Sequence, residues 1–454
     1  MGVCLSSSFS LCVEHLRKYL LGSCLQSKAH SAGFVRRNSK LTADTFLIML
    51  LYCSSQESSS SLNYMCGVLD ELGVDMRKQS LDGRFNASCV DFVKSVLSEI
   101  LEDQFQQSGL YQGNFWKNFT QVRIKDSTKF KVPDHMSDQF KGNGGSVAGI
   151  CIQYEYDLVT GKILDLSVGS GGGNDLTNAS QTRDDPQAGD LIIRDLGYYS
   201  LDVFQTFTRN KAYFLSRLNP ITNVYHSTEN CQEVDFEKIY NRMLQTAMEC
   251  VEMEVVLGEK YKLPVRMVLT LVEEQVYQKR IREREAVNRK RGSKMADKTR
   301  IRYRFSIYIT NASSEQLPKF QLFSAYRLRW QIELIFKCWK SLYKIHQGRK
   351  MSLNRYLCML YIKLILVVLN LQLTRSLERC IHRKNKNGER QFLSIQKVLF
   401  TLRRYCYNVL IALFGKSYDL KKTLLFLWEK IAENHWLEKK KSKQKMVQIN
   451  TLIV

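Results

Sequence analysis

Apolar residues along this chain recur with different periods in different stretches, and each period predicts a kind of element. Residues 1–119 read as mostly helical, with apolar positions three or four apart. In "KLTADTFLIMLLY" (40–52), Thr42 stands as an N-cap before an apolar run. "SSQESSSS" (54–61) holds no apolar residue and reads as a polar linker or loop. "LNYMCGVLDELG" (62–73) and "VDMRKQSLDGRF" (74–85) are two short helical patterns meeting at Gly73. They make either an ordinary helical hairpin or a helix-turn-helix with Arg77, Lys78, Gln79 and Arg84 free to face DNA. "ASCVDFVKSVLSEILEDQFQQ" (87–107) continues as an amphipathic helix.

From about residue 120 the period changes to two. "QVRIKDSTKFKV" (121–132) predicts a strand, and "GICIQYEYDLVTGKILDLSV" (149–168) a hairpin turning near Gly161. "DLIIRDLGYY" (190–199) holds a short buried strand, Leu191–Ile193, then Asp195 and a helical "SLDVFQTF". "KAYFLSRL" (211–218) gives one more strand. Hairpins followed by alternating helix and strand fit an α/β fold with an RNase H-like core. Residues 219–320 break that alternation and read as a β-rich insertion. The insertion opens with a predicted helix over 236–255, followed by strands around "VRMVLTLV" (265–272) and "YRFSIYIT" (303–310). The segment between those strands, 278–304, is the densest basic stretch. It reads as a solvated loop or as a surface that tracks phosphates. Beyond 341 the chain is helical again. The most apolar run, "LCMLYIKLILVVLNLQL" (357–373), is interrupted by Lys363 and predicts a buried core helix rather than a membrane span. The domain reading is therefore a helical DNA-binding region over 1–119, a core split into 120–218 and 321–375 by an insertion over 219–320, and a helical region over 376–454.

One helical stretch, "YRLRWQIELIFKCWK" (326–340), carries an unusual polar side. At about 100° per residue, Tyr326, Arg329, Glu333, Lys337 and Lys340 share one sector with Trp330 at its edge. Leu328, Ile332, Ile335, Trp339 and Leu342 lie opposite and form a docking row. Such a sector is ordinarily a solvated face with Glu333 paired to Lys337. The rest of the chain points elsewhere.

The formal charge is +23, which suits a polyanionic partner, nucleic acid before an anionic membrane surface. Thirteen cysteines without a Cys-x-x-Cys, and seven histidines without metal spacing, suggest neither a disulfide framework nor a zinc module. That pattern fits a reducing, intracellular setting, and no secretory signal is expected. "MGVCLS" at the start fits a myristoylation pattern, and "KKKSKQK" (439–445) reads as a solvating tail. "GSGGGND" (169–175) lacks the ending of a P-loop and reads as a flexible loop.

Two-metal phosphoryl chemistry needs carboxylates converging on one point, best placed on strands or at strand ends. Asp126 lies on the first predicted strand, Asp195 follows the short central one, and Glu333 projects from the helix just described. Here the spacing Tyr326-x-x-Arg329-x-x-x-Glu333-x-x-x-x-x-x-Lys340 resembles the Tyr-Arg-Glu-Lys signature of a large branch of DDE transposases from bacterial insertion sequences. Trp330 and the Lys337-x-Trp339-Lys340 ending also look like that branch. "KDST" and "RDLGYYSLDVF" resemble its two Asp motifs, and "YITN" (308–311) the strand that leaves its insertion domain. "FVRRNSKLTADTFL" (34–47) is similar to its N-terminal region.

The resemblance implies a cut-and-paste transposase in which Asp126, Asp195 and Glu333 are catalytic and hold two Mg²⁺ or Mn²⁺ ions. It implies that Arg329 and Lys340 hold phosphates, that Tyr326 contacts phosphate through its hydroxyl and that Lys337 meets DNA. Trp330 would stack on a flipped base, with Phe305 in "RFSIYIT" the nearest candidate for a second clamp. The expected partners are double-stranded DNA, as inverted-repeat ends and target, and a second copy of the chain in a synaptic homodimer, without a membrane. The expected location is the bacterial cytoplasm, on the nucleoid. A catalytically decayed, transposase-derived DNA-binding protein is the alternative.

Overall fold

The computed structural model describes residues 14–436 apart from 15, 38, 57–60, 103–113, 230–231, 349, 381–382, 385–389, 392 and 414–418. "MGVCLS", the basic tail, half of the 54–61 linker and the end of the 87–107 pattern lie outside the described residues.

One nine-stranded sheet runs through the molecule in the order β3-β2-β1-β4-β5-β9-β8-β7-β6. Its first five strands are Val122–Lys131, Gly149–Asp157, Ile163–Ser170, Leu191–Arg194 and Tyr213–Arg217, taken as β1 to β5. β1 pairs antiparallel with β2 and β2 with β3, while β4 runs parallel to both β1 and β5. The β2–β3 hairpin turns through Gly161, whose φ of 74° is open to glycine at no steric cost. A mixed sheet of this order, with helices packed on it, is consistent with an RNase H-like core.

The residues between β5 and 320 do not make a separate sheet. They add β6 (Val224–Tyr225), β7 (Cys250–Leu257), β8 (Leu263–Leu271) and β9 (Phe305–Thr310), and β9 docks antiparallel on β5. The helix expected over 236–255 covers only Phe236–Thr246. It ends at Ala247, which takes the left-handed conformation at φ 50°, and Cys250–Leu257 is a strand. In "CVEMEVVL" glutamate and apolar residues alternate, and pairing with β8 outweighs the helical propensity of Glu and Met. The basic segment, read as a solvated loop or a surface that tracks phosphates, is mostly helix, Glu274–Lys290 and Asp297–Arg302, and not a loop. Tyr277 and Ile281 are buried, one turn apart on the helix face turned to the protein. The glycine stretch 169–175 is also no free loop. A side chain on Gly171 would strike the Gly149 backbone at 2.7 Å, and Asn174 caps the helix Asp175–Gln181.

The helical regions close around one element. Helix Leu353–Cys380 packs against Ala87–Glu102 and Ala43–Ser55, the latter capped by Thr42 as its sequence predicts. Its span Leu353–Thr374 is long and apolar enough to cross a membrane, yet most of it is buried inside this protein, as expected of a core helix. Cys89 and Cys358 meet there as free thiols, 3.2 Å between sulfurs.

Candidate active site

The 326–340 stretch does not form one helix. Helix Lys319–Arg327 ends, and a second helix runs over Trp330–Ser341. Between them, Leu328, Arg329, Gln331 and Ile332 each donate to the carbonyl three residues back, a tighter winding than the α-helix. The docking row survives the joint: Leu328, Ile332, Ile335, Trp339 and Leu342 are all buried. Trp339 wedges between Tyr154 of β2 and Phe336, with ring centroids 5.0 and 5.3 Å away, and so fixes the helix on the sheet.

That seat brings the three acids to one place. Asp126 is on β1, and Asp195 follows the last residue of β4, the parallel neighbour of β1. Glu333 is in the first turn of Trp330–Ser341. All three meet the guanidinium of Arg329: Nη1 to Asp126 Oδ2 at 3.0 Å, Nη2 to Glu333 Oε1 at 2.7 Å and Nε to Asp195 Oδ1 at 4.0 Å. Arg329 was expected to hold phosphate; in this structure it holds the carboxylates. Tyr326 was expected to do likewise, but it is buried and its hydroxyl lies 3.5 Å from Asp195 Oδ1.

The electrostatics follow from the crowding. Burial pushes the Asp126 carboxyl up to about 6, and the charges of Asp195 and Glu333 add to the rise. The Ser127 amide, which donates to Asp126 Oδ1 at 2.8 Å, and the Arg329 charge hold it down in part. Burial works against the Arg329 charge, but Glu333, Asp195, Tyr326 and Asp126 raise its pKa further. Three oxygen acids around one cation are the hard donors a Mg²⁺ or Mn²⁺ ion takes. With the side chains as they stand, no three carboxylate, histidine or cysteine groups among the described residues are close enough to share an ion. The Arg329 guanidinium stands between them.

The acids open into a recess of about 580 Å³ that also exposes Lys337, Lys340, Lys344, His346 and Gln347. Lys337 is exposed, while Lys340 is half-buried and its Nζ reaches the Lys129 carbonyl at 3.4 Å. Trp330 is 58% exposed, open to a stacking partner. Phe305 is not: it is buried against Phe236 and Tyr240 and can clamp nothing outside the core. Arg77 and Lys78 are exposed and Arg84 half-buried, around a helix of only five residues, Lys78–Asp82. None of the three lines the recess.

Sequence reasoning missed the support beneath the acids. Ser127, beside Asp126 but on the other face of β1, donates to Asp175 Oδ1 at 2.8 Å, which also accepts from Gln153 Nε2 at 3.2 Å. Arg194, beside Asp195, reaches buried Glu155 Oε1 at 3.4 Å, and Lys125 reaches Glu155 Oε2 at 3.5 Å. Polar residues at every second place of a buried strand were the available signal.

A Transposase DDE domain model matches residues 117–369, from just before β1 into the core helix. The chain therefore belongs to the DDE transposases, enzymes that act on DNA, and its relatives are transposases of insertion sequences. It is 30% identical over 97% of its length to a transposase for insertion sequence element IS231E of Bacillus thuringiensis subsp. finitimus, covering 95% of that protein. With the IS231D transposase of the same subspecies it shares 31% identity over 81% of the chain and 80% of the relative. A transposase for element IS1151 of Clostridium perfringens is 29% identical over 75% of the chain and 76% of that protein.

Proposed function

We propose that this transposase moves its element by cut and paste, using Asp126, Asp195 and Glu333 to hold two Mg²⁺ or Mn²⁺ ions. The observation that carries the reading is the convergence of these three carboxylates, from two parallel strands and one helix, on a single guanidinium. Bound there, the ions would make a water nucleophilic and take up charge on the phosphate being attacked. The chain's own part is to hold ions and strand in place. Arg329, released from the acids, and Lys340 and Lys337 would bind phosphates on either side of the cut. Tyr326 would keep Asp195 oriented, and Trp330 would stack on an unpaired base. The freed 3′-hydroxyl then attacks a target phosphodiester: one P–O bond forms as another breaks, and the strand it displaces leaves with the 3′ oxygen.

In this reading residues 120–218 and 321–375 are the RNase H-like core and 219–320 the insertion. The exposed Arg77 and Lys78, with Arg84, contribute contacts to the element ends, and two copies synapse two ends on the nucleoid. Because all three acids stay together in one pocket, a decayed DNA-binding protein is the weaker reading.

The test is cleavage of duplex DNA carrying the element's inverted repeat. Asp126→Asn, Asp195→Asn and Glu333→Gln should each lower strand cleavage by about 10³-fold or more and leave binding to the same duplex within a few-fold. Cleavage near the unsubstituted level in any of them contradicts the assignment. No cleavage by the unsubstituted chain, with end binding intact, favours the decayed alternative.

A further inference from the structure

Asp126 and Asp195 stand on neighbouring backbone segments, β1 and the turn after β4, and one carboxylate behind the sheet is tied to both. Successive residues of a strand point to opposite faces, so Ser127 turns away from the face that Asp126 occupies. Gln153 of β2 lies opposite Ser127 in the register and shares its face. Asp175, at the start of helix Asp175–Gln181, closes over this pair. Its Oδ1 accepts from Ser127 Oγ at 2.8 Å and from Gln153 Nε2 at 3.2 Å. Gln153 carries the connection onward, since its Oε1 accepts from the Tyr198 hydroxyl at 2.6 Å. Tyr198 is buried, and its amide donates to the Asp195 carbonyl at 3.0 Å, closing the tight turn that begins at Asp195. Asp175 also meets that turn directly. A methyl group on Gly197 would stand 3.3 Å from Asp175 Oδ2, so the bare glycine lets the turn close on the carboxylate. On the β1 side, the Ser127 amide is the donor to Asp126 Oδ1, at 2.8 Å. Helix capping does not account for Asp175, because Asn174 is the cap and accepts from the Leu176 amide at 3.0 Å.

We infer that Asp175 is a positioning residue for strand cleavage. It sets the separation of Asp126 and Asp195 through Ser127 on one side and Gln153, Tyr198 and Gly197 on the other. The inference rests on the catalytic reading of those two acids given above. Asp175 does not line the recess, so it acts on the reaction by holding backbone. Groups that work together at a reacting centre must be held to within about 0.5 Å, and a misplacement of about 1 Å costs about 10²-fold in rate. Both donors to Asp175 are neutral amide or hydroxyl groups. An asparagine in its place accepts the same two bonds, and an alanine loses them.

Amide hydrogen exchange in the full-length chain, without metal or DNA, reads the turn, and cleavage of the inverted-repeat duplex reads the consequence. In Asp175→Ala the amides of residues 196–199 should exchange about ten-fold faster, while those of the core helix Leu353–Cys380 keep their rates. The kcat for cleavage should fall about 10²-fold with KM for the duplex within about two-fold, and Asp175→Asn should stay near the unsubstituted chain in both measurements. Unchanged exchange at 196–199 in Asp175→Ala overturns the inference. So does faster exchange there with normal kcat, or an Asp175→Asn as impaired as Asp175→Ala. Should Asp175→Ala not fold, Tyr198→Phe, which removes one hydroxyl and keeps the ring, decides the matter. Exchange at 196–199 a few-fold faster with a few-fold lower kcat supports the inference, and no change in either overturns it. Because exchange is read without metal or DNA, its outcome does not depend on whether the three acids cut.

Discussion

At the scale of single residues, the site is a set of like charges held together by one counter-ion. Asp126 takes the largest share of the strain, since it is the most buried of the three acids. Its folded-state carboxyl titrates near 6, against about 3.9 in an unfolded chain. A raised acid pKa means that the ionised form costs stability: the cost is full above pH 6 and fades as pH falls from 6 toward 4. Asp126→Asn should therefore stabilise the metal-free protein at pH 7.5 by about 1–2 kcal/mol, with a smaller gain at pH 5. Thermal melting at the two pH values checks this, and a lower melting point at pH 7.5 contradicts it. Glu155 behaves in the opposite way. Burial disfavours its charge, but Arg194, Lys125 and Arg123 hold its carboxyl down to about 2. Glu155→Gln leaves those cations unbalanced and should cost about 3–5 kcal/mol in denaturant unfolding, whereas a loss below about 1 kcal/mol would remove the network from the account.

At the scale of elements, the decisive piece is helix Trp330–Ser341 and the tight joint before it. Its apolar row was legible in the sequence because a helix docked on a sheet must show a one-sided stripe, and the buried residues are the expected ones. The joint was not legible: no glycine or proline marks it, and a switch to three-residue hydrogen bonds leaves no signal in a helical wheel. The strand carrying Asp126 was legible from alternation, and the one that ends just before Asp195 from its short apolar run. The strand at 250–257 was not, since Glu and Met favour helix in isolation and only pairing with β8 decides the matter. Arg329's contacts with the acids were likewise hidden, because side-chain direction across elements is a property of the assembled fold. The helix is held chiefly by Trp339, which is fully buried. Trp339→Ala should destabilise the protein by about 3–5 kcal/mol and abolish cleavage at temperatures where the variant is still folded. A folded variant with normal cleavage would show that Glu333 needs no such seat.

At the scale of the whole molecule, a charge of +23 and a continuous nine-stranded sheet act together. The sheet places Asp126 on β1 and Asp195 just after β4, with β2 and β3 on one side of that pair and β5 to β9 on the other. Helix Glu274–Lys290 adds basic residues over the far half. Such a charge should make DNA binding steeply salt-dependent whether or not the acids are intact. Between 50 and 200 mM salt, affinity for a duplex should fall by about 10²-fold or more in the unsubstituted chain and in Glu333→Gln alike. Binding that barely changes across that range would remove phosphate contact as its main source.

We propose that the three carboxylates make one divalent-ion centre once DNA draws Arg329 away. Mn²⁺ bound per chain, counted by electron paramagnetic resonance in complex with the element end, tests it most directly. Two ions per chain are expected in the unsubstituted protein, with loss of at least one in each of Asp126→Asn, Asp195→Asn and Glu333→Gln. Equal Mn²⁺ binding by the unsubstituted chain and all three variants would contradict it.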